Sequence, residues 1–181
     1  AIQQLSDERV ITDLDWEFHQ LQKRYWDYLL NVSRKKDRII ESSDNPKEEL
    51  VRLKSPHDRF IQIINEFFQE TTKKINQDEN EIEFLLNNKE ITAYELSAGE
   101  KQLLIIFLTV LIQDNKPSIL FMDEPEHSLH MDWQEKVIQY IRELNPNVQL
   151  IIATHSPSII MDGWLDKISE LSDLIVNDKE K

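Results

Sequence analysis

The chain has no cysteine and only two glycines among its 181 residues. Without cysteine there is no disulfide, no thiolate metal ligand and no thiol nucleophile. That absence fits a reducing compartment, so a cytoplasmic location is expected. Average usage would put about a dozen glycines in a chain of this length. Neither Gly99 nor Gly163 stands ahead of a Lys-Ser or Lys-Thr pair. A Walker A loop needs two glycines there, because its backbone amides must approach the phosphates closely. These residues therefore lack that loop. The first residue is Ala rather than Met. With the missing loop, this leads us to expect part of a longer protein.

Long apolar runs and excess positive charge are also missing. The longest near-continuous apolar run, residues 103–112, is too short to cross a bilayer, so no membrane partner is expected. The formal net charge is −13. A chain this acidic is repelled by a phosphate backbone. Any nucleic-acid contact is expected to be indirect, through a complex whose basic surface lies elsewhere. At 40% hydrophobic and 30% charged, the chain has the composition of a folded domain with a real core.

Residues 1 to 40 read as one long helix. Val10, Leu14, Phe18, Leu21, Tyr25, Tyr28 and Leu29 recur at three- and four-residue spacing. Trp16 and Trp26 fall near that stripe, and packing against a helix or another copy is the plain expectation. The charged run at residues 33–38 reads as a solvated face. Asp44-Asn45-Pro46 is a turn that starts a second helical stretch. We expect an interruption near Ser55-Pro56, with Ser55 capping a further helix and Pro56 at its first position. Residues 1–78 thus form a helical arm.

The character changes near residue 80. Residues 81–86 and 89–94 read as short strands around an Asn87-Asn88 turn. A helix comes next, from Gly99 to Gln113, then a buried strand through Ile119 and Asp123. An amphipathic helix spans residues 131–144, and a second buried strand runs from Val148 towards His155. The alternation predicts an α/β fold with a parallel sheet covered on both faces. Residues 161–176 are expected to give a short helix and a last edge strand.

Three stretches carry chemistry. Residues 119–126 read Ile-Leu-Phe-Met-Asp-Glu-Pro-Glu. Ligands in open parallel sheets bind beyond the carboxyl ends of the strands, where Asp123 and Glu124 fall. One acid there can hold Mg²⁺, since hard cations take oxygen ligands. The other can orient and deprotonate a water. Two acids merely ending a strand at a solvated loop is the competing reading. The next strand ends at Thr154-His155-Ser156, where an imidazole can reach a phosphate or the attacking water. Ser97 and Gly99 open a helix. Ser97 can cap it with its hydroxyl, or the turn can hold an anion on free amides. Lys101 in the first turn opposes the helix dipole, and a bound phosphate would reverse that. Local physics leaves cap and phosphate site both open.

Residues 96–102, Leu-Ser-Ala-Gly-Glu-Lys-Gln, resemble the ABC signature motif in the form found in SMC, RecF and OLD-like ATPases. Residues 119–124 look like Walker B with its catalytic glutamate, and His155 looks like the switch histidine. The order and spacing agree. The resemblance covers residues 80–165 and is to the C-terminal lobe of a P-loop ABC-type ATPase head, with residues 1–78 as a helical insertion arm and 79–181 as the lobe. The wording around Asp123 and His155 resembles that of bacterial AAA-type ATPases related to OLD proteins, and among them the Septu and retron-associated anti-phage subunits.

The resemblance implies ATP and Mg²⁺ as ligands and a second copy of the chain as partner. Ser97, Gly99, Glu100 and Lys101 would then contact ATP held by that other copy. Asp123 would support Mg²⁺, Glu124 would be the general base and His155 would sense the γ-phosphate. His130 stands where transporters carry the D-loop aspartate. OLD-like proteins read Leu-His-Pro there, whereas this chain reads Leu129-His130-Met131. Ala98 replaces the first glycine of the transporter signature. His127 and His130 invite a metal reading by their spacing, with a structural or interface role as the plainer expectation. The implied function is an ATPase that dimerises on ATP and regulates a separate effector nuclease in anti-phage defence, with DNA or retron RNA/DNA contact through the complex. Two alternatives stay open. One is a RecF/SMC-like repair or chromosome-maintenance ATPase. The other is a non-catalytic scaffold acting through its helical arm.

Overall fold

The computed structural model describes residues 12–77, 81–160 and 163–170. Helix α1, Asp13–Ser42, opens on a capping box in which Thr12 and Asp15 satisfy each other's backbone amides. Its buried stripe is Phe18, Leu21, Tyr25 and Tyr28. Val10 lies outside the described residues. Trp16 and Trp26 sit off the stripe and are exposed, so neither joins the core of this chain. The charged run at residues 33–38 is solvated, as its composition predicted, and Lys35 reaches across to Asp114.

Helix α2, Pro46–Phe67, runs without a break. The expected interruption at Ser55-Pro56 does not occur, and Ser55 caps nothing. Pro56 lacks an amide hydrogen and cannot bond the carbonyl of Arg52. Arg52 is exposed, so water can serve that carbonyl. The later turns of the helix are pinned by burial of Phe60, Ile61, Ile63, Ile64 and Phe67. The helical reading also runs too far. After Phe67 the chain turns into strand β1, Lys73–Ile75, which pairs antiparallel with β2, Glu83–Leu86. Strand β3, Lys89–Thr92, completes a three-stranded sheet in the order β1-β2-β3. The β2–β3 turn is Asn87-Asn88, both with positive φ, as a two-residue hairpin of this twist requires.

Helix α3, Ala98–Leu111, is apolar around most of its circumference and lies in the middle of the core. Leu103, Leu104, Phe107 and Leu108 are fully buried. One hydrophobic cluster joins α1, α2, the antiparallel sheet and α3 to the parallel strands, so the arm and the α/β part share a core. Strands β4, Ser118–Asp123, and β5, Val148–Ala153, pair in parallel, with the amphipathic helix α4, Met131–Leu144, as their crossover. Trp133, Val137, Ile141 and Leu144 bury its inner face. A single turn of helix, α5, Pro157–Ile160, lies beyond β5.

The fold is α/β, with parallel strands and flanking helices. The parallel pair is covered on one face only among the described residues. Leu120, Met122, Leu150 and Ile152 face the core. Ile119, Phe121 and Ile151 face outward, with Phe121 70% exposed. The expectation of a sheet covered on both faces is corrected to that extent. Of residues 161–176, those described hold a 3-10 turn at Leu165–Lys167. The expected edge strand lies outside the described residues.

Candidate functional site

The parallel register aligns Asp123 with Ala153, so both strands end at the same level. Asp123 points to the same side as Ile119 and Phe121, by the two-residue period of the strand. Its carboxylate is exposed and makes no hydrogen bond or ion pair among the described residues. It is thus free to meet a hard cation.

Glu124 leaves the strand in the left-handed region, with φ 42° and ψ 53°. A non-glycine residue held there costs roughly 1–3 kcal/mol and needs its surroundings to hold it. Its amide donates to the carbonyl of Ala153 at 2.8 Å, and its carbonyl accepts from the His127 amide at 3.1 Å. Pro125 is buried and starts the 3-10 turn Pro125–Ser128. The result aims the Glu124 carboxylate between two imidazoles. Oε2 lies 2.8 Å from His127 Nδ1, and Oε1 lies 3.4 Å from His155 Nε2. The group is open to solvent, with His155 89% exposed. A carboxylate placed so can take a proton from water and share charge with either ring.

Two of the three sequence-predicted strand-end residues, Glu124 and His155, are therefore brought together, while Asp123 stands apart. His127 joins them. His130 does not: its ring packs edge-on to Trp133 at 5.3 Å. The two histidines thus serve different partners and do not converge on one point.

Behind this pair lies a network that sequence reasoning missed. Glu126 Oε1 accepts from Thr154 Oγ1 at 2.7 Å, from the His155 amide at 2.8 Å and from the Ser156 amide at 3.0 Å. Burial alone would raise the Glu126 carboxyl. The Thr154 hydroxyl and the two amides outweigh it and hold the group below the ordinary carboxylate range. Ser156 Oγ donates to Gln134 Oε1 at 2.6 Å, and Gln134 Nε2 donates to the carbonyl of Leu129 at 2.9 Å. The loops after β4 and β5 are thereby tied together. Glu126 comes directly after Asp-Glu-Pro, but its partners lie 28 to 30 residues away and leave no local signal.

The signature-like turn is a capping box. Ser97 Oγ accepts from the Glu100 amide at 3.4 Å, and the Ser97 amide donates to Glu100 Oε2 at 2.8 Å. The Ser97 hydroxyl is also engaged with the Glu100 carboxylate. The amides of Ala98 and Gly99 have no hydrogen-bond partner among the described residues. Free first-turn amides suit an anion.

Glu100 and Lys101 have inward tasks. Glu100 is fully buried and takes Lys73 Nζ at 2.7 and 2.9 Å and Thr71 Oγ1 at 2.8 Å. Burial pushes its carboxyl up. Lys73, Ser97 and Thr71 more than offset that, and the group sits below its ordinary range. Lys101 Nζ pairs with Asp15 Oδ1 at 2.5 Å, both side chains nearly buried. Gly99 packs where no side chain fits, since a Cβ would stand 2.2 Å from the carbonyl oxygen of Ser128. Ser97, Gly99, Ser128, His130 and Trp133 line one cleft of about 350 Å³. Asp123, Glu124 and His155 do not line it.

A family model described as "AAA domain, putative AbiEii toxin, Type IV TA system" matches residues 12–162. The chain is 25% identical over 170 residues to the Retron Vc95 probable ATPase of Vibrio cholerae serotype O1 biovar El Tor, across 82% of this chain and 33% of that protein. It is 30% identical over 84 residues to the Retron Ec83 probable ATPase of Escherichia coli, across 40% of this chain and 16% of that one. The chain thus spans a third or less of the length of these relatives. Among solved structures, an SMC head bound to the C-winged helix domain of ScpA aligns with 70% of this chain and 42% of its own, at 20% identity and a TM-score of 0.48. No helix among the described residues is long and apolar enough to cross a membrane.

Proposed function

This chain belongs to the AAA-domain family, and we propose from that premise that it is the C-terminal lobe of an ATP-hydrolysing head that closes as a dimer on ATP. The observation that carries this is the placement of Glu124 at a parallel strand end, within reach of His155 from the neighbouring strand end. Glu124 is the general base. It orients the attacking water and takes its proton, a contribution typically worth about 10²- to 10⁴-fold in rate. His155 faces the γ-phosphate and the same water. Asp123, without a partner among the described residues, would hold Mg²⁺, which when bound neutralises charge on the phosphate oxygens.

The signature turn serves the other copy. Beside the Ser97 hydroxyl, Ala98 and Gly99 offer amides that have no partner among the described residues, on a cleft that does not include Glu124 or His155. A turn set apart from its own strand-end acids fits a role on a partner's nucleotide. His130 lines the same cleft and belongs to that interface. Glu100 and Lys101 act on nucleotide only indirectly, by holding this turn in place through Lys73 and Asp15. The ATPase would govern a separate effector, a nuclease, in anti-phage defence. Two relatives named retron ATPases support that setting.

The test is Glu124→Gln in the full-length protein. We expect ATP turnover to be abolished, while ATP-dependent dimerisation, read by analytical ultracentrifugation, is kept or strengthened. Unchanged turnover would contradict the assignment.

A further inference from the structure

We propose that Glu126 is a positioning residue, which sets the exposed imidazole of His155 against Glu124 by gripping the backbone behind it. The proposal rests on the hydrolytic reading of Glu124 and His155 given above. The His155 side chain is 89% exposed, so packing cannot hold it. Its direction must come from its own backbone and the residues on either side. The His155 amide is held at a single atom. Glu126 Oε1 takes the amides of His155 and Ser156 and the hydroxyl of Thr154. Two successive amides aimed at one oxygen form a small anion nest, here filled by the protein's own carboxylate. Bonds from amides to an ionised acceptor are roughly twice as strong as neutral ones.

The grip comes from a firm base. Glu126 lies in the 3-10 turn that follows directly on Glu124, and buried Pro125 separates the two acids. One short segment therefore holds both the general base and the clamp on its histidine partner. The other carboxylate oxygen, Oε2, is buried and has no partner among the described residues. The remaining ties of the loop are Ser156 Oγ to Gln134 and the Ser156 amide to Thr154 Oγ1 at 3.0 Å. Neither fixes the His155 amide.

The experiment compares Glu126→Ala with Glu126→Gln in the full-length protein. Glutamine keeps an acceptor oxygen for the three donors, whereas alanine removes it. Misplacing a catalytic partner by about 1 Å can cost about 10²-fold. We expect Glu126→Ala to lower kcat on that order with little change in KM for ATP, and Glu126→Gln to restore most of kcat. Hydrogen exchange without nucleotide gives a second readout. The amides of His155 and Ser156 should exchange faster in the alanine variant than in the glutamine variant, whose rate lies between alanine and native. Equal kcat in the two variants, or unaltered exchange in Glu126→Ala, would overturn the proposal. If Glu126→Ala does not fold, Thr154→Val removes one donor and carries the same comparison. Should Glu124→Gln turn over normally, the hydrolytic reading fails while the exchange result still decides the clamp. Loss of turnover in Glu124→Gln beside an unaffected Glu126→Ala would remove the clamp alone.

Discussion

Lys101 Nζ lies 2.5 Å from Asp15 Oδ1, joining two residues 86 apart in the chain. One belongs to the signature-like turn and the other to the first turn of the helical arm. Side-chain exposures of 11% and 9% make it a nearly buried ion pair. Removing one partner strands a charge, which typically costs about 3–5 kcal/mol. Lys101→Met should therefore destabilise strongly, as read by urea unfolding. Lys101→Met with Asp15→Asn should recover part of that loss, because no uncompensated charge remains. Losses that merely add would mean the pair contributes no coupling.

Gly99 makes a separate prediction. An added Cβ would meet the Ser128 carbonyl at 2.2 Å, and this atom is backbone that cannot swing aside. Gly99→Ala should lower stability by about 1–3 kcal/mol, as overpacking does, in the absence of any nucleotide. Thermal unfolding of the nucleotide-free protein checks this. An unchanged midpoint would mean that the glycine serves the nucleotide alone.

Acid should unfold the protein through a small set of carboxyls. Asp15, Glu100 and Glu126 are all held below their ordinary range. For Asp15, burial pushes up, and Lys101 with Thr12 pulls down further. A depressed folded value gives stability that is complete above the unfolded value, near pH 4, and lost as pH falls through the folded one. We expect these groups to leave the melting temperature flat from about pH 8 to 5 and to lower it below about pH 4. Asp15→Asn should flatten that acid limb. An unaltered slope would exclude Asp15 as a contributor.

Much of the fold is local pattern and could be read from residues alone. The strands at Ser118–Asp123 and Val148–Ala153, the helix Met131–Leu144 and the Asn87-Asn88 hairpin all announce themselves through periodicity and turn residues. The placement of Glu124 and His155 at strand ends came with that topology. The features that escaped depend on distant partners. Lys73–Ile75 is too short to show a period and exists as a strand through its pairing with residues 84–86. Pro56 signals a helix start by itself, and the burial of Phe60 to Phe67 overrides it. Glu100 and Lys101 look like surface charges beside a phosphate site. Their partners Lys73 and Asp15 turn them inward. Glu126 reads as one more acid in a loop until the Thr154 to Ser156 backbone is placed around it.

The central claim is that the turn at Ser97 completes the site of a second copy while Glu124 acts in its own. Mixing two inactive variants tests it most directly. Ser97→Arg lacks a working turn, and Glu124→Gln lacks a working base. In a mixed dimer, one site pairs an intact Glu124 with an intact Ser97 from the other copy. We predict that each variant alone fails to hydrolyse ATP and that the mixture regains turnover. Two inactive proteins that stay inactive when mixed, despite forming mixed dimers, would contradict the account.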